Sequence, residues 1–291
     1  MRSGMIAVVG RPNVGKSTLV NAICGQKVAI VSNKPQTTRN RLLAAAHIDG
    51  AQLIFMDTPG FHKPRNKLDQ YMHRVVGDSL EGVDAVLLLV EPVSRVGKPE
   101  AILLQRIKDL GIPCLLVINK IDTADRLSLL PVLELYGKQM EFAACIPVSA
   151  KTGDGVDVVG RELAKLMPEG PQLFPNGMTS DQSERQFACE TMREKLLWLL
   201  REEIPHGIAV VCELWEETPE MLHVGLTVVC EREGHKAIVI GRNGSMLKKA
   251  GEMARADLEK RFGRKIYLET WVKVKPNWRD NEKQLRGYGY Q

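Results

Sequence analysis

The stretch Gly10–Ser17, read GRPNVGKS, decides the fold of the first half of the chain. It matches the phosphate-binding pattern GxxxxGK[ST] without deviation, directly after an apolar run, Met5–Val9, and at the start of an amphipathic segment, Lys16–Cys24. Glycines let backbone N–H groups turn towards phosphate oxygens, and a helix N-terminus adds partial positive charge. The pattern predicts a strand, a phosphate-binding loop and a helix. Lys16 would reach the β and γ phosphates and Ser17 would bind Mg²⁺.

Short apolar runs alternate with helical patterns over the first 170 residues. Runs of aliphatic and β-branched residues without polar alternation are typical of strands buried on both faces. Further strands are predicted at Leu42–Ile48, Leu53–Met56, Ala85–Val90, Cys114–Ile118 and Ala144–Pro147, and helices at Lys67–Leu80 and Glu100–Leu110. This order predicts an α/β domain with a mixed, mostly parallel sheet flanked by helices.

Two motifs at strand ends indicate which nucleotide is bound. Asp57–Gly60 (DTPG) follows one strand, where Asp57 would hold Mg²⁺ through water and Gly60 would donate a backbone N–H to the γ phosphate. Asn119–Asp122 (NKID) follows another, where Asp122 would accept two hydrogen bonds that guanine donates and adenine cannot. Together with Ser149–Lys151 (SAK), whose backbone would approach guanine O6, these motifs predict a guanine-nucleotide site.

The predicted nucleotide-binding set comprises the phosphate loop and these three motifs. Its members are Gly10, Arg11, Pro12, Asn13, Val14, Gly15, Lys16, Ser17, Thr18, Asp57, Thr58, Pro59, Gly60, Asn119, Lys120, Ile121, Asp122, Ser149, Ala150 and Lys151.

The polar, glycine-free segment Val28–Arg41 is a candidate switch. A threonine here would bind Mg²⁺ and the γ phosphate only while that phosphate is present, and Thr38 is favoured over Thr37. The alternative is an ordinary surface loop. Ser17, Thr38 and Asp57 are thus the predicted metal ligands, Asp57 through water, and Lys16, Thr38 and Gly60 the phosphate contacts in the transition state. No general base is visible, and Phe61 stands where many small GTPases carry a water-orienting glutamine, which predicts slow intrinsic hydrolysis.

A second domain follows a proline-rich break, Met167–Pro175. The predicted boundaries are residues 1–170 for the first domain, 171–182 for a linker and 183–291 for a smaller α+β domain with a C-terminal tail. Its predicted elements are a helix at Ser183–Glu202, strands at Ile208–Glu216 and Leu222–Glu231, a helix at Met246–Phe262 and a strand at Lys265–Lys275. Trp198, inside the apolar run of the first helix, is predicted to lie in the core.

A GxxG turn, Gly241–Gly244, precedes the second helix, and the apolar run before it, Ala237–Ile240, is interpreted as a strand. Such a turn lets a nucleic-acid backbone approach closely. Residues 231–291 also hold 15 Lys/Arg against 8 Asp/Glu, which favours an anionic partner. The alternative is a plain helix-initiating turn. The predicted RNA-binding residues are Gly241, Arg242, Asn243, Gly244, Lys248 and Lys249.

Composition narrows the protein class. Apolar residues make up 44% and charged residues 26%, as in soluble globular proteins, and no apolar run approaches the roughly 20 residues of a membrane span. The first predicted strand leaves no room for a signal peptide. The six scattered cysteines are expected to be reduced core thiols, so a cytoplasmic location is predicted.

The motifs GRPNVGKS, QTTRN, DTPG, NKID and SAK, followed by GRNG in an α/β module, resemble the Era family of bacterial ribosome-assembly GTPases. The resemblance covers nearly the whole chain. It implies a P-loop GTPase domain followed by a type II KH domain, a GTP/GDP switch using Mg²⁺, binding to the 3′ end of 16S rRNA, and a role in assembling the 30S subunit.

The resemblance further implies peripheral membrane association and, from Asn13 and Phe61, use of K⁺ during hydrolysis. The turn GRNG carries asparagine where a second basic residue is usual, which would weaken one phosphate contact. A monomer is expected. The alternatives left open are a GTPase involved in tRNA modification and a peripheral-membrane signalling switch.

Overall fold

The computed structural model describes residues 1–61, 64–202 and 204–290. The chain forms two compact units. The first comprises Met1–Val31, Thr38–Arg65 and Met72–Asp181. The second comprises Gln182–Gln291 together with Ser32–Thr37 and Asn66–Tyr71. Two short segments that flank the nucleotide motifs in sequence therefore belong to the second unit.

The elements up to residue 166 follow the alternating order that the sequence predicts. They are β1 (Arg2–Gly10), α1 (Lys16–Cys24), β2 (Leu42–Ile48), β3 (Ala51–Asp57), α2 (Lys67–Asp78), β4 (Ala85–Val90), α3 (Lys98–Leu110), β5 (Cys114–Ile118), α4 (Leu129–Gly137), β6 (Ala144–Pro147) and α5 (Val156–Leu166).

The strands of the first unit form one sheet in the order β2-β3-β1-β4-β5-β6. β2 runs antiparallel to β3 and the other neighbours are parallel, which confirms the predicted mixed sheet. Val8 on β1 lies opposite Asp57 on β3 and Leu87 on β4. Separate apolar clusters cover the two faces of the sheet. The parallel register brings the carboxyl ends of β1, β3, β5 and β6 to one edge, where each nucleotide motif begins.

The chain beyond α5 remains attached to the first unit as far as Asp181. Gln52 on β3 is fully buried, and its Oε1 accepts the N–H groups of Leu173 and Phe174 at 2.8 and 2.9 Å. Phe174 packs against Ala45 and Ile54. Much of the stretch predicted as a linker is thus held in place by hydrogen bonds and apolar packing.

The helices and strands of the second unit pack around an apolar core of their own. Its elements are α6 (Glu184–Leu199), β7 (Ala209–Glu217), β8 (Leu222–Cys230), α7 (Glu233–Ile240), α8 (Ser245–Phe262), β9 (Ile266–Val274) and α9 (Glu282–Gly287). The sheet order is β7-β8-β9, antiparallel for the first pair and parallel for the second. The indole of Trp278, in the C-terminal segment, is fully buried and donates to the Gly207 carbonyl at 3.0 Å.

Three expectations need correction. Residues 237–240 belong to helix α7 and are not a strand. Trp198 is 47% exposed, with the Lys195 ammonium 4.0 Å from its ring centre, so it is not a core residue. Among the cysteines Cys114 and Cys230 are buried, whereas Cys145 is exposed and the others are half-buried. Burial raises the pKa of Cys114 to about 12 and that of Cys230 to about 11, so these two thiols stay protonated near neutral pH.

No helix in the described ranges combines the length and the apolar character needed to cross a membrane.

Candidate nucleotide and RNA sites

The phosphate loop connects the carboxyl end of β1 to the N-terminus of α1. Gly15 caps the helix with a φ of 99°, and a side chain there would collide with Nδ2 of Asn119, so the position requires glycine. The N–H of Phe61 donates to the Gly10 carbonyl at 3.1 Å, which places the end of DTPG beside the loop. The first N–H groups of α1 thus point to a concavity suited to an anion.

Lys16 lies inside this loop. Its buried ammonium donates to the carbonyl oxygens of Gly10 and Arg11 at 3.2 and 3.0 Å. Burial lowers the pKa of Lys16 from 10.5 to about 8, and the charge of Asp57 partly opposes this shift. A bound phosphate would add negative charge beside this buried ammonium.

Three side-chain oxygen groups converge next to Lys16. The Ser17 hydroxyl donates to Oδ2 of Asp57 at 2.6 Å and lies 2.9 Å from the Thr38 hydroxyl, which is 3.3 Å from the same carboxylate oxygen. Among the described residues no well-aligned donor reaches the buried Oδ1 of Asp57. Burial raises the pKa of Asp57, against the hydrogen bond from Ser17 and the charge of Lys16. Hard oxygen donors around an unsatisfied carboxylate oxygen fit Mg²⁺ with retained waters.

The structure also separates Thr38 from Thr37. The Thr37 hydroxyl donates to the Lys34 carbonyl at 2.7 Å and lies 2.7 Å from the Ser32 hydroxyl. Only the Thr38 hydroxyl, of these two, joins Ser17 and Asp57. The role of Thr38 as a metal ligand stays a prediction.

The base-recognition motifs meet at the ends of β5 and β6. Asp122 is exposed, and its Oδ1 accepts the Ser149 hydroxyl at 2.8 Å, which leaves Oδ2 available to a base. Asn119 is buried and braces two loops, because Nδ2 donates to the Val14 carbonyl at 2.7 Å and Oδ1 accepts the Ala150 N–H at 2.9 Å. Base reading by Asp122 and by Asn119 stays a prediction.

Sequence patterns miss two contributors to this pocket. The Lys120 ammonium forms an ion pair with Glu91, the residue directly after β4, and this pair can hold the lysine stem over a base. The hydroxyl of Ser149 orients Asp122, whereas the prediction assigned Ser149 only through its backbone. The strand-end position of Glu91 is the signal that could have revealed it.

The other predicted nucleotide-binding residues differ in exposure. Val14, Thr58 and Pro59 are buried, and the Thr58 hydroxyl donates to the Val8 carbonyl at 2.8 Å. Arg11 is exposed and lies 3.5 Å from the carboxylate of buried Glu100. Pro12, Asn13, Thr18, Gly60, Ile121 and Lys151 are half-buried or exposed around the same edge of the sheet.

The ring of Phe61 is packed among apolar side chains. It is 8% exposed, belongs to an apolar cluster and lies 4.7 Å from the ring of His73. A buried aromatic ring has no group that could orient water, so the expectation about Phe61 has a structural basis.

A groove in the second unit begins at the GxxG turn. Gly241–Gly244 joins α7 to α8, and Arg242, Asn243, Lys248 and Lys249 are exposed. The groove has a volume of about 390 Å³. It is lined by Gly244, Leu247, Lys248, Gly251, Glu252, Arg255, Leu268 and Thr270. Apolar walls with charged groups at the rim suit stacked bases and phosphates.

The sequence analysis missed part of this groove. Glu252 and Arg255 follow Lys248 at helical spacing, on the same face of α8, and this periodicity could have identified them. Leu268 and Thr270 come from β9, and no local pattern links them to the turn.

Two known protein families match separate stretches of the chain. Residues 5–120 match the family described as 50S ribosome-binding GTPase, and residues 203–279 match the KH domain. The curated protein GTPase Era of Ruminiclostridium cellulolyticum is 44% identical over 291 residues, covering 100% of this chain and 98% of the relative. GTPase Era of Alkaliphilus metalliredigens is 43% identical over 292 residues, covering 100% and 99%.

Solved structures agree over the same length. A crystal structure of Era in complex with MgGDPNP and nucleotides 1506–1542 of 16S ribosomal RNA has a TM-score of 0.96 and 39% identity, covering 100% of this chain and 99% of that one. A variant of Aquifex aeolicus Era bound to GDP·AlF4⁻ has the same TM-score, identity and coverage.

Proposed function

Because the chain belongs to the Era family of GTPases, we propose that it is a GTP-hydrolysing switch that binds the 3′ end of 16S rRNA and assists assembly of the 30S subunit. The observation that carries the proposal is one chain holding both a guanine-nucleotide site and a basic GxxG groove. Full-length similarity to an Era that binds both MgGDPNP and 16S rRNA supports joining the two.

The proposed chemistry is positioning and electrostatic stabilisation. Lys16 binds the β and γ phosphates, Ser17 and Thr38 offer hydroxyls to the metal, and Asp57 holds it through water. When bound, Mg²⁺ neutralises phosphate charge that develops during transfer. Gly60 donates its backbone N–H to the γ phosphate, and Asp122 selects guanine. In the second unit Arg242, Lys248 and Lys249 attract RNA phosphates, while the groove holds unstacked bases.

The direct test is RNA affinity as a function of nucleotide and salt. An oligonucleotide from the 3′ end of 16S rRNA is titrated against the protein with GDP or with a non-hydrolysable GTP analogue, and a scrambled oligonucleotide is the control. We expect sequence-selective binding that the analogue strengthens. Weak binding that salt abolishes and that ignores both sequence and nucleotide would contradict the proposal, because it would indicate only a basic surface.

We also propose that K⁺ stabilises charge during hydrolysis, because Asn13 lies in the phosphate loop and Phe61 cannot orient water. Asn13 has a left-handed backbone with φ of 64°. Hydrolysis by the purified protein is expected to stay below roughly 1 s⁻¹ without a partner, as for unassisted GTPases. The rate should be several-fold higher in KCl than in NaCl of equal ionic strength. Equal rates in the two salts would remove K⁺ from the proposal.

Two alternatives have distinct signatures. A GTPase of tRNA modification would co-purify with tRNA, whereas the proposed function predicts small ribosomal subunits. A peripheral-membrane switch would float with anionic liposomes at a salt concentration where the rRNA oligonucleotide no longer binds.

A monomer is proposed, and its mass in solution is measured by light scattering.

A further inference from the structure

Helix α6 carries charged side chains in its buried middle. Arg193 is fully buried, and its neighbours Glu194 and Lys195 are 1% and 2% exposed. Buried charge is costly unless an opposite charge and hydrogen bonds compensate for it. Lys195 is compensated by Glu194 at 2.9 Å and by Asp257 at 2.6 Å. Arg193 is compensated by one nearby carboxylate and by two carbonyl groups that are distant in sequence.

Among the described residues of the second unit, the guanidinium of Arg193 donates to the Glu190 carboxylate and to two backbone carbonyl groups. Nε donates to Oε1 of Glu190 at 2.9 Å, one turn earlier on α6. Nη1 donates to the Gln36 carbonyl at 3.3 Å, and Nη2 donates to the Thr37 carbonyl. A guanidinium is planar and always charged, so it fixes the directions of two successive peptide groups. A lysine ammonium could not do this.

The segment Ser32–Thr37 presents those carbonyl groups in a stiff loop. The hydroxyls of Ser32 and Thr37 are hydrogen-bonded to each other. The Thr37 hydroxyl also donates to the Lys34 carbonyl, and the Lys34 N–H donates to the Ser32 hydroxyl. Gln36 adopts a left-handed φ of 62°, and its Nε2 donates to Oδ1 of buried Asp69 at 2.7 Å. Because these hydrogen bonds hold the loop together, a displacement of the Gln36 and Thr37 peptide groups is passed on to the neighbouring residues.

The segment Asn66–Tyr71 has one contact of a weaker kind. Lys67 lies 2.9 Å from Glu282, but both side chains are largely exposed, and exposed ion pairs contribute about 0–1 kcal/mol. The Arg193 side chain is buried, and its bonds to the Gln36 and Thr37 carbonyls are charge-assisted. Arg193 therefore holds the two peptide groups at the end of Ser32–Thr37, beside the hydrogen bond between Gln36 and Asp69.

Thr37 is followed directly by Thr38, whose Cα lies about 3.8 Å further along the chain. Thr38 is the residue whose hydroxyl joins Ser17 and Asp57. We propose that Arg193 is a positioning residue for Thr38, through which the RNA-binding unit tunes the preference of the phosphate site for GTP over GDP. This rests on the proposed role of Thr38 at the metal and the γ phosphate.

The inference has a specific thermodynamic signature. GDP has no γ phosphate, so its affinity does not depend on the position of Thr38, whereas the affinity of a GTP analogue does. Loss of Arg193 should therefore weaken analogue binding alone. By linkage, whatever RNA does to the segment held by Arg193 must change analogue affinity by the same factor that the analogue changes RNA affinity.

The test uses the full-length protein with Mg²⁺ and measures the dissociation constants of GDP and of a non-hydrolysable GTP analogue. Arg193→Gln should lower the preference for the analogue over GDP by about fivefold or more, the lower end of typical coupling between sites. Arg193→Lys, which keeps the positive charge, should retain part of the preference that Arg193→Gln loses. Thr38→Ala sets the upper limit of the effect. Arg185→Gln is the matched control, because Arg185 is exposed on the same helix, 6.0 Å from the Trp215 ring centre.

The possible results distinguish the role of Arg193 from the proposed role of Thr38. If Thr38→Ala leaves the preference unchanged, the role of Thr38 is wrong and the inference falls with it. If Thr38→Ala lowers the preference and Arg193→Gln does not, the inference alone is overturned. Equal losses of GDP and analogue affinity in Arg193→Gln, with a lower melting temperature, would show a merely structural role and also overturn it. Failure of the rRNA oligonucleotide to bind would contradict the RNA function and leave this nucleotide test decisive.

Discussion

Asp122→Asn is expected to convert the nucleotide preference from guanine to xanthine. In the variant an amide NH2 group replaces one carboxylate oxygen and faces a guanine N–H donor, and the remaining oxygen has no charge. Both hydrogen bonds, each worth about 1.5–3 kcal/mol to a charged acceptor, are therefore lost or weakened, so GTP affinity should fall about 10²–10⁴-fold. An asparagine amide can instead donate to the C2 carbonyl of xanthine. The bond from the Ser149 hydroxyl, 2.8 Å in length, can be kept by the amide oxygen. Binding of GTP and XTP is measured by competition with a fluorescent nucleotide.

Asp125→Asn is the matched control for this exchange. Asp125 is exposed three residues further along, where its Oδ1 accepts the Leu127 N–H at 3.2 Å. The same chemical change should leave both GTP and XTP affinity almost unaltered. Unchanged GTP affinity in Asp122→Asn, or a gain of XTP binding in both variants, would contradict the assignment of Asp122.

The nucleotide site was predictable because its chemistry is local in sequence. Each motif follows a buried strand, and parallel strands place their carboxyl ends on one edge. The position of Lys16, Ser17, Asp57 and Asp122 therefore followed from motif plus strand order. Even Thr38 could be preferred over Thr37, and the structure brings only the Thr38 hydroxyl of the two to Ser17 and Asp57.

The predictions were wrong where an apolar run is too short to show a helical or a strand periodicity. Ala237–Ile240 is continuous and short, so neither period distinguishes a strand from a helix turn. In helix α7 only Val239 is buried, and Ile238 is 50% exposed. Trp198 lies within Leu196–Leu200, where a rotation of about 100° per residue turns it away from the buried Leu196 and Leu197.

Contacts between residues that are far apart in sequence could not be predicted from local sequence patterns. Arg193 bonds carbonyl groups 156 and 157 positions earlier, and backbone carbonyls have no sequence signature. Leu268 and Thr270 reach the groove only because β9 packs beside α8. Such contacts are set by tertiary packing, which no local propensity encodes.

The GxxG pattern treats its two glycines alike, but the structure distinguishes them. A side chain at Gly241 would collide with the backbone N and the Cβ of Met246, so Gly241→Asp would disturb the fold itself. At Gly244 no heavy atom of the described residues, apart from its chain neighbours, lies within 4 Å of an added Cβ, and the backbone has a left-handed φ of 76° that aspartate tolerates. Gly244 is therefore the position at which a charge tests RNA binding without a steric effect.

Gly244→Asp is expected to weaken binding of the rRNA oligonucleotide about 10–100-fold, equivalent to about 1–3 kcal/mol, while GTP affinity stays unchanged. The new carboxylate would stand at the N-terminus of α8, where an RNA phosphate would otherwise meet the helix and the exposed Arg242 and Lys248. Binding is measured by fluorescence anisotropy at several salt concentrations, with GTP analogue present.

Gly263→Asp provides a control of the same chemistry at the other end of the helix, about 27 Å away for 18 residues. Its φ is 67° and nothing lies within 4 Å of an added Cβ. A carboxylate is favourable at a helix N-terminus and unfavourable at a C-terminus by about 0.3–1 kcal/mol, so Gly263→Asp should be the less stable variant. If it nevertheless binds RNA normally while Gly244→Asp does not, loss of stability cannot explain the loss of binding. Equal weakening in both would instead mean that RNA responds to total charge and that the turn has no special role.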